Sequence, residues 1–327
     1  MGENNMNQIR VVRSFVAADA LADLIAADYH LEGPVRCQMF SKMVRTQDND
    51  HYLVTTGSGE KYVVRVYQLG TRLDRQESDY LYEVDWLNFL HKAGLPVAYP
   101  IPRADGGLLS SLNAPEGLRY YALFSLAPGR PMSIQNEEQL FVMGREMARI
   151  HLASNDYEKS YERQPINLEF LVDKPIERIK QYWDEDRADD LEILMISAEE
   201  AKEEIEDLIA NEEYTPDGWG PIGGDFHSGS VFFTDDNQPT FFNFDWCGPG
   251  WRAYDIAVFL FNTNLIHNSS ADLSEAFFAG YYSQRQLSSN EHAAIAPFLT
   301  IRRIWQTGLF SMNDGLVGHT FIAPAHN

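Results

Sequence analysis

Ile222-Gly223-Gly224-Asp225-Phe226-His227-Ser228-Gly229-Ser230 leads into Val231 to Thr234, a polar turn at Asp235 to Pro239, and a returning run from Thr240 to Asp245. The two aromatic- and valine-rich runs on either side of the turn predict a β-hairpin. A hairpin returns its end beside its start. Asp225, Ser230 and Asp245 are therefore expected to gather at its open end, although 20 positions separate the two carboxylates. Two carboxylates held close, with no cation near them in sequence, repel unless a metal or a shared proton offsets the charge. Mg²⁺ suits such a site, because it prefers oxygen ligands and is commonly held by one or two carboxylates plus substrate phosphates. Phosphoryl transfer uses that sparse set: one carboxylate orients or accepts the proton of an attacking hydroxyl, and a second holds the metal. Asp225 and Asp245 are the candidates for these two roles, with Ser230 as a further oxygen donor.

Upstream of this corner the pattern changes twice. Leu21, Leu24, Ile25 and Ala26 recur at helical spacing between Ala17 and Tyr29. His51 to Thr55 and Tyr62 to Tyr67 predict a hairpin about the Thr56 to Glu60 turn, and Ser78 to Ala93 a helix closed by Gly94 and Pro96. Ala98 to Arg103 and Tyr120 to Leu126 are further strand candidates around a turn from Asp105 to Ser111. Beyond Pro128-Gly129-Arg130-Pro131 the sequence turns helical, at Glu137 to Ala153, Glu199 to Glu213, Tyr254 to Asn262 and Glu291 to Thr307. The expected fold is thus α+β, with a small, mainly antiparallel sheet over residues 1–125 and a mainly helical part over 126–327.

Composition bounds the chemistry. The 327 residues hold 26 basic and 48 acidic side chains, a net charge of −22, which repels nucleic acid and anionic lipid and only mildly favours a cationic substrate. A phosphate ligand therefore requires a local cationic pocket. The two cysteines, Cys37 and Cys247, match no zinc spacing and are expected to be free thiols. No segment has the length of a membrane span and Met1 to Arg10 lacks the apolar run of a secretory signal, so a cytoplasmic protein with no membrane partner is expected. His227 lacks a second ligand at metal spacing and reads as structural. Ser228 and Ser230 lack the flanking glycines of a hydrolase nucleophile elbow.

These residues resemble the aminoglycoside phosphotransferase and choline kinase-like family, which has a bilobal, protein-kinase-like fold. The family carries His-Gly-Asp-x-His-x-Gly-Asn, a hairpin, Asp-Phe-Asp, and a Tyr-Asp pair opening a helix. Gly223 to Ser230, Asn243-Phe244-Asp245 and Tyr254-Asp255 stand in those places, and Gly144 to His151 is similar to the family's Gly-x-x-x-Ala-x-x-His helix. The resemblance implies an ATP- or GTP-dependent small-molecule kinase, with Asp225 as base and Asp245 on Mg²⁺. It also implies that Arg65, in Tyr62-Val-Val-Arg-Val-Tyr67, holds the nucleotide phosphates with Glu83 as its partner. The backbone of Ser125, Leu126 and Ala127 would meet the base, and Ser41 to Asp50 would cover the phosphates.

The sequence departs from the pattern at four places: Arg65 stands for Lys, Gly223 for His, Ser230 for Asn and Asn243 for Asp. Arg presents a planar fork where Lys presents a point charge, and a hydroxyl is a poorer Mg²⁺ ligand than an amide carbonyl. Two other readings accordingly stay open: a pseudokinase-type nucleotide- or partner-binding module, and a protein Ser/Thr kinase resembling the stress-response kinases. The acidic runs Asp184 to Glu192 and Glu199 to Glu206 read as solvated helix faces.

Overall fold

Tyr52, Val54, Val64, Val66, Tyr121 and Leu123 occupy alternate positions on three strands, and together they bury one face of a sheet against a helix. The strands are β1 (Arg36–Met39), β2 (Asp50–Thr55), β3 (Lys61–Val66), β4 (Ser110–Ala114) and β5 (Gly117–Ser125), paired antiparallel in the order β1-β2-β3-β5-β4. The helix is α1 (Ala18–Asp28), whose Leu21 and Ile25 complete the core. At one end of this face Asp50 is buried between two arginines, Arg13 at 2.5 Å and Arg119 at 2.8 Å. Arg119 also donates to the carbonyls of Ser14 and Tyr67, fastening the segment before α1 to the sheet.

The computed structural model describes residues 9–40, 49–69, 75–183, 188–210, 217–265 and 271–317. The chain forms two units, Met1–Arg75 with Pro100–Ser125, and Gln76–Tyr99 with Leu126–Asn327. Residues 76–99, counted with the sheet on the sequence reading, belong to the second unit. The reason lies in α2 (Glu77–Lys92): its Trp86 is fully buried, donates to Ser154 Oγ at 3.0 Å and meets the Phe244 ring edge-on.

The second unit continues through β6 (Arg130–Pro131), α3 (Glu137–Ala153), α4 (Lys174–Tyr182), α5 (Ala188–Ile205), β7 (Trp219–Ile222), β8 (Val231–Phe233), β9 (Pro239–Phe241), β10 (Gly248–Trp251), α6 (Arg252–Thr263), α7 (Ala271–Tyr282) and α8 (Ser289–Val317). β6, β8 and β9 form one small sheet, and β7 with β10 another. No described helix is long and apolar enough to cross a membrane.

Several sequence expectations are corrected here. Ala98 to Arg103 is not a strand: Pro96, Pro100 and Pro102 remove the donors a ladder requires, and only isolated bridges at Val97 and Pro100 form. Ser110 and Ser111 open β4 where a turn was expected. The returning strand of the second hairpin stops at Phe241, since Asn243 has a left-handed backbone (φ 68°) that cannot extend it. α5 starts eleven residues before the predicted Glu199, and β1, α4 and α7 were not foreseen.

α3 and α7 cross at two glycines. A Cβ on Gly144 would lie 2.0 Å from Phe277 O, and one on Gly280 would lie 1.9 Å from Phe141 O. Backbone cannot yield as a flexible side chain can, so Gly144→Ala should lower stability by about 1–3 kcal/mol. Chemical denaturation of the variant beside wild type checks this.

Candidate active site

The loop from Gly223 to Ser230 and the segment from Phe242 to Cys247 are fastened at the same two places. At one end β7 and β10 pair through Ile222 and Gly248. At the other, β8 and β9 pair through Val231 and Phe241, and the Phe242 N–H donates to Ser230 O at 2.9 Å. Two segments tied together at both ends run side by side. They touch through backbone at Gly224 (φ 74°), where a Cβ would stand 2.3 Å from Trp246 O. Asp225 follows that glycine and Asp245 precedes that tryptophan, so the two carboxylate-bearing residues occupy facing segments. An aromatic cluster fills the space beneath them: Phe226 packs edge-on against both Phe241 and Phe244. The Phe226 ring also takes the room beside Gly223, where any Cβ would collide with it at 2.6 Å.

Each candidate residue has a defined setting. Asp225 keeps 19% of its side chain exposed and accepts from Arg302 and, at 3.3 Å, from Asn262 Nδ2. Asp245 is buried, and its carbonyl accepts from Arg163 Nη2 at 2.5 Å. Arg163 also donates to the carbonyl of Asp79 in the first turn of α2, tying that turn to the Asp245 segment. Ser230 Oγ donates to His227 O at 2.8 Å and accepts from His227 N–H at 3.0 Å. One lone pair of its hydroxyl is left over. His227 Nδ1 accepts from Gly229 N–H, the structural role expected of it.

Arg65 lies in the first unit, on the face of β3 opposite α1. It is buried, with its guanidinium 4.9 Å from the Phe124 ring centroid and Nε 3.3 Å from His51 Nε2. Glu83 is buried on α2 in the second unit. Ser125 ends β5, and the division between the units falls between it and Leu126. Leu126 is exposed and Ala127 half-buried. Residues 41–48 of the stretch expected to cover the phosphates lie outside the described residues. Among the described residues no three His, Cys, Asp or Glu side chains gather as a metal cluster.

The sequence offers Asp255 as a helix N-terminal anchor for this region, but not the contacts by which it holds the loop. Asp255, in the first turn of α6, accepts the N–H of Gly223 at 2.8 Å and of Gly224 at 2.7 Å, one on each carboxylate oxygen. His151 Nε2 lies 3.1 Å from Asp255, and His151 Nδ1 2.9 Å from Tyr281 Oη. Both His151 and Asp255 are fully buried. Burial holds the imidazole well below its usual range, helped by Arg252 and Arg285, and pushes the Asp255 carboxyl up to about 7 against the two loop N–H groups. The Gly-x-x-x-Ala-x-x-His and Tyr-Asp motifs mark both residues, but 104 positions separate them and nothing in the spacing pairs them. Asn262 and Arg302 carry no motif at all.

Comparison with known proteins agrees with this architecture. Residues 44–298 match the phosphotransferase enzyme family, and the chain belongs to that family. It is an enzyme of the phosphotransferase class with a protein-kinase-like fold. It is 32% identical to an uncharacterized protein of Synechocystis sp. over 90% of this chain and 78% of that one. It is 25% identical to amicoumacin kinase of Bacillus subtilis over 76% of this chain and 71% of the relative. Among solved structures, an amicoumacin kinase in complex with AMP-PNP and Ca²⁺ superimposes with a TM-score of 0.72 at 20% identity, covering 90% of this chain and 85% of that one. A microcompartment-associated aminopropanol kinase gives 0.71 at 19%, covering 90% and 89%.

The buried carboxyl gives a pH dependence with a definite sign. The pKa of Asp255 is raised in the folded chain, so between about pH 4 and about pH 7 the folded state holds a proton that the unfolded chain has released. Its contribution to stability is therefore full below about pH 4 and is lost as pH rises through about 7. His151, held low, acts in the opposite sense near its unfolded pKa, and it is present in both wild type and Asp255→Asn. The difference in unfolding free energy between those two proteins, measured from pH 4 to 8, should move in favour of Asp255→Asn as pH rises.

Proposed function

We propose that this enzyme transfers the γ-phosphoryl group of ATP or GTP to a hydroxyl of a small molecule, with Asp225 accepting or orienting the hydroxyl proton. The observation that carries the reading is the double fastening of the Gly223–Ser230 loop to the Phe242–Cys247 segment. Preorganised carboxylates on facing segments are what in-line transfer requires of a protein, since its catalysis is mostly positioning and charge stabilisation.

The donor set suits Mg²⁺. Asp245 offers a carboxylate on a backbone pinned by Arg163, and Ser230 retains one lone pair, so both donors are hard oxygens. When bound, the ion neutralises charge on the nucleotide phosphates. Arg65 would pair with the phosphates, while the backbone of Ser125, Leu126 and Ala127 would take the base. Homoserine kinase of Sinorhizobium fredii, 27% identical over 76% of this chain and 71% of its own, and the aminopropanol kinase are named for substrates that join a hydroxyl to an amine. Amino alcohols therefore head the acceptor screen, followed by aminoglycosides and sugars.

The commitment of the Ser230 hydroxyl to its own loop favours a second reading, a pseudokinase-like member of the family that binds nucleotide with weak metal affinity and little turnover. Two experiments decide. Asp225→Asn should lower turnover by about 10²–10⁴-fold with nucleotide affinity nearly unchanged, as expected for loss of a general base. Calorimetry of ATP and GTP with and without Mg²⁺ should show metal-dependent binding that Asp245→Ala loses. Binding without phosphorylation of any acceptor would transfer the weight to the second reading.

A further inference from the structure

Asp225 is held from two helices at one oxygen. Arg302, in the middle of α8, forms an ion pair with Asp225 Oδ1, and Asn262, at the end of α6, donates Nδ2–H to the same oxygen at 3.3 Å and to Phe226 O at 3.0 Å. Among the described residues nothing donates to Oδ2. Arg302 is itself enclosed: its side chain is 2% exposed, and its guanidinium lies 4.5 Å from the Trp305 ring centroid. Trp305 in turn meets the ring of Trp246, the neighbour of Asp245, edge-on.

The cost of this arrangement is informative. Among the described residues Nε and Nη1 of Arg302 are buried with no hydrogen bond of good geometry, although the Tyr254 hydroxyl lies beside the guanidinium, and poorly paired buried donors of a charged group disfavour folding. A buried ion pair adds little stability on its own, and apolar replacements of similar size are often neutral or stabilising. Packing therefore does not account for a guanidinium here. Among the described residues its one ion pair is with the carboxylate assigned as base, and the neutral Tyr254 hydroxyl beside it does not require a charged partner.

We infer that Arg302, with Asn262, is a positioning residue for Asp225, fixing Oδ1 so that Oδ2 is presented to the acceptor hydroxyl. The inference rests on the proposed role of Asp225. Freed of both donors, the carboxylate rotates about its last bond, and misplacement of this kind costs about 10²-fold in rate.

The test compares Arg302→Met, Arg302→Lys and Asn262→Leu with Asp225→Asn and wild type. It uses the acceptor found by the screen above and, alongside it, hydrolysis of Mg·ATP with water as acceptor. Arg302→Met should lose about 10²-fold in kcat while the KM for Mg·ATP and the thermal midpoint stay near wild type. Arg302→Lys should recover part of that loss, because it restores a donor to Oδ1, and Asn262→Leu should lose less than Arg302→Met. Full activity in Arg302→Met beside an inactive Asp225→Asn would overturn the inference and leave the base assignment standing. Full activity in Asp225→Asn would overturn both. A fall in thermal midpoint that accompanies the fall in kcat, with no recovery in Arg302→Lys, would make Arg302 structural and overturn the inference. A wild-type chain that turns over neither the acceptor nor water would remove the base assignment and, with it, the inference.

Discussion

Asp255 sets the course of the candidate catalytic loop. A buried carboxylate that accepts one backbone N–H on each oxygen fixes two consecutive peptide planes, those of Gly223 and Gly224. The next residue is Asp225, so its starting point is decided before its side chain makes any contact. The anchor persists in an apolar interior because three helices contribute to it: α6 supplies the carboxylate, α3 supplies His151 and α7 supplies Tyr281. Arg285 donates to the Tyr281 hydroxyl at 3.1 Å and closes the chain of contacts. A partly satisfied network of this kind would be costly, and this one is occupied along its length.

The two glycines follow from the anchor. With both N–H groups directed at Asp255, the chain must turn left-handed at Gly224 to pass under Trp246, and no side chain fits there. At Gly223 the Phe226 ring occupies the space that a larger residue would need. The departures from the family pattern are thus coherent within this chain. An aromatic ring braces the loop where the family has histidine, and asparagine, which after glycine best tolerates a left-handed backbone, stands at Asn243.

Much of the fold was legible because its signals are local. The β2–β3 hairpin, α2, α3 and α6 follow from alternation, helical spacing and caps that act over a few residues. The approach of the two segments that carry Asp225 and Asp245 was legible too, although the hairpin ends sooner than its aromatic run suggests, and the second tie, between β7 and β10, supplies the rest. What escaped is long-range. The membership of α2 depends on Trp86 reaching Ser154 and Phe244, and the partnership of His151 with Asp255, or of Arg302 with Asp225, joins residues 104 and 77 positions apart. No periodicity encodes such pairs. Pro-rich stretches misled in the opposite direction, since the apolar run at Ala98 to Arg103 carries strand-like side chains on a backbone lacking donors.

The crossing of α3 and α7 has a further bearing on the anchor. At Gly144 and Gly280 the helices touch through peptide planes, without interdigitated side chains, so no change of rotamer can alter their separation. The contact acts as a caliper closed on bare backbone. His151 sits two turns beyond Gly144 on the same helix, and Tyr281 directly follows Gly280 on the other. The spacing that lets tyrosine, imidazole and carboxylate link in series is therefore a length set by the thickness of two polypeptide backbones.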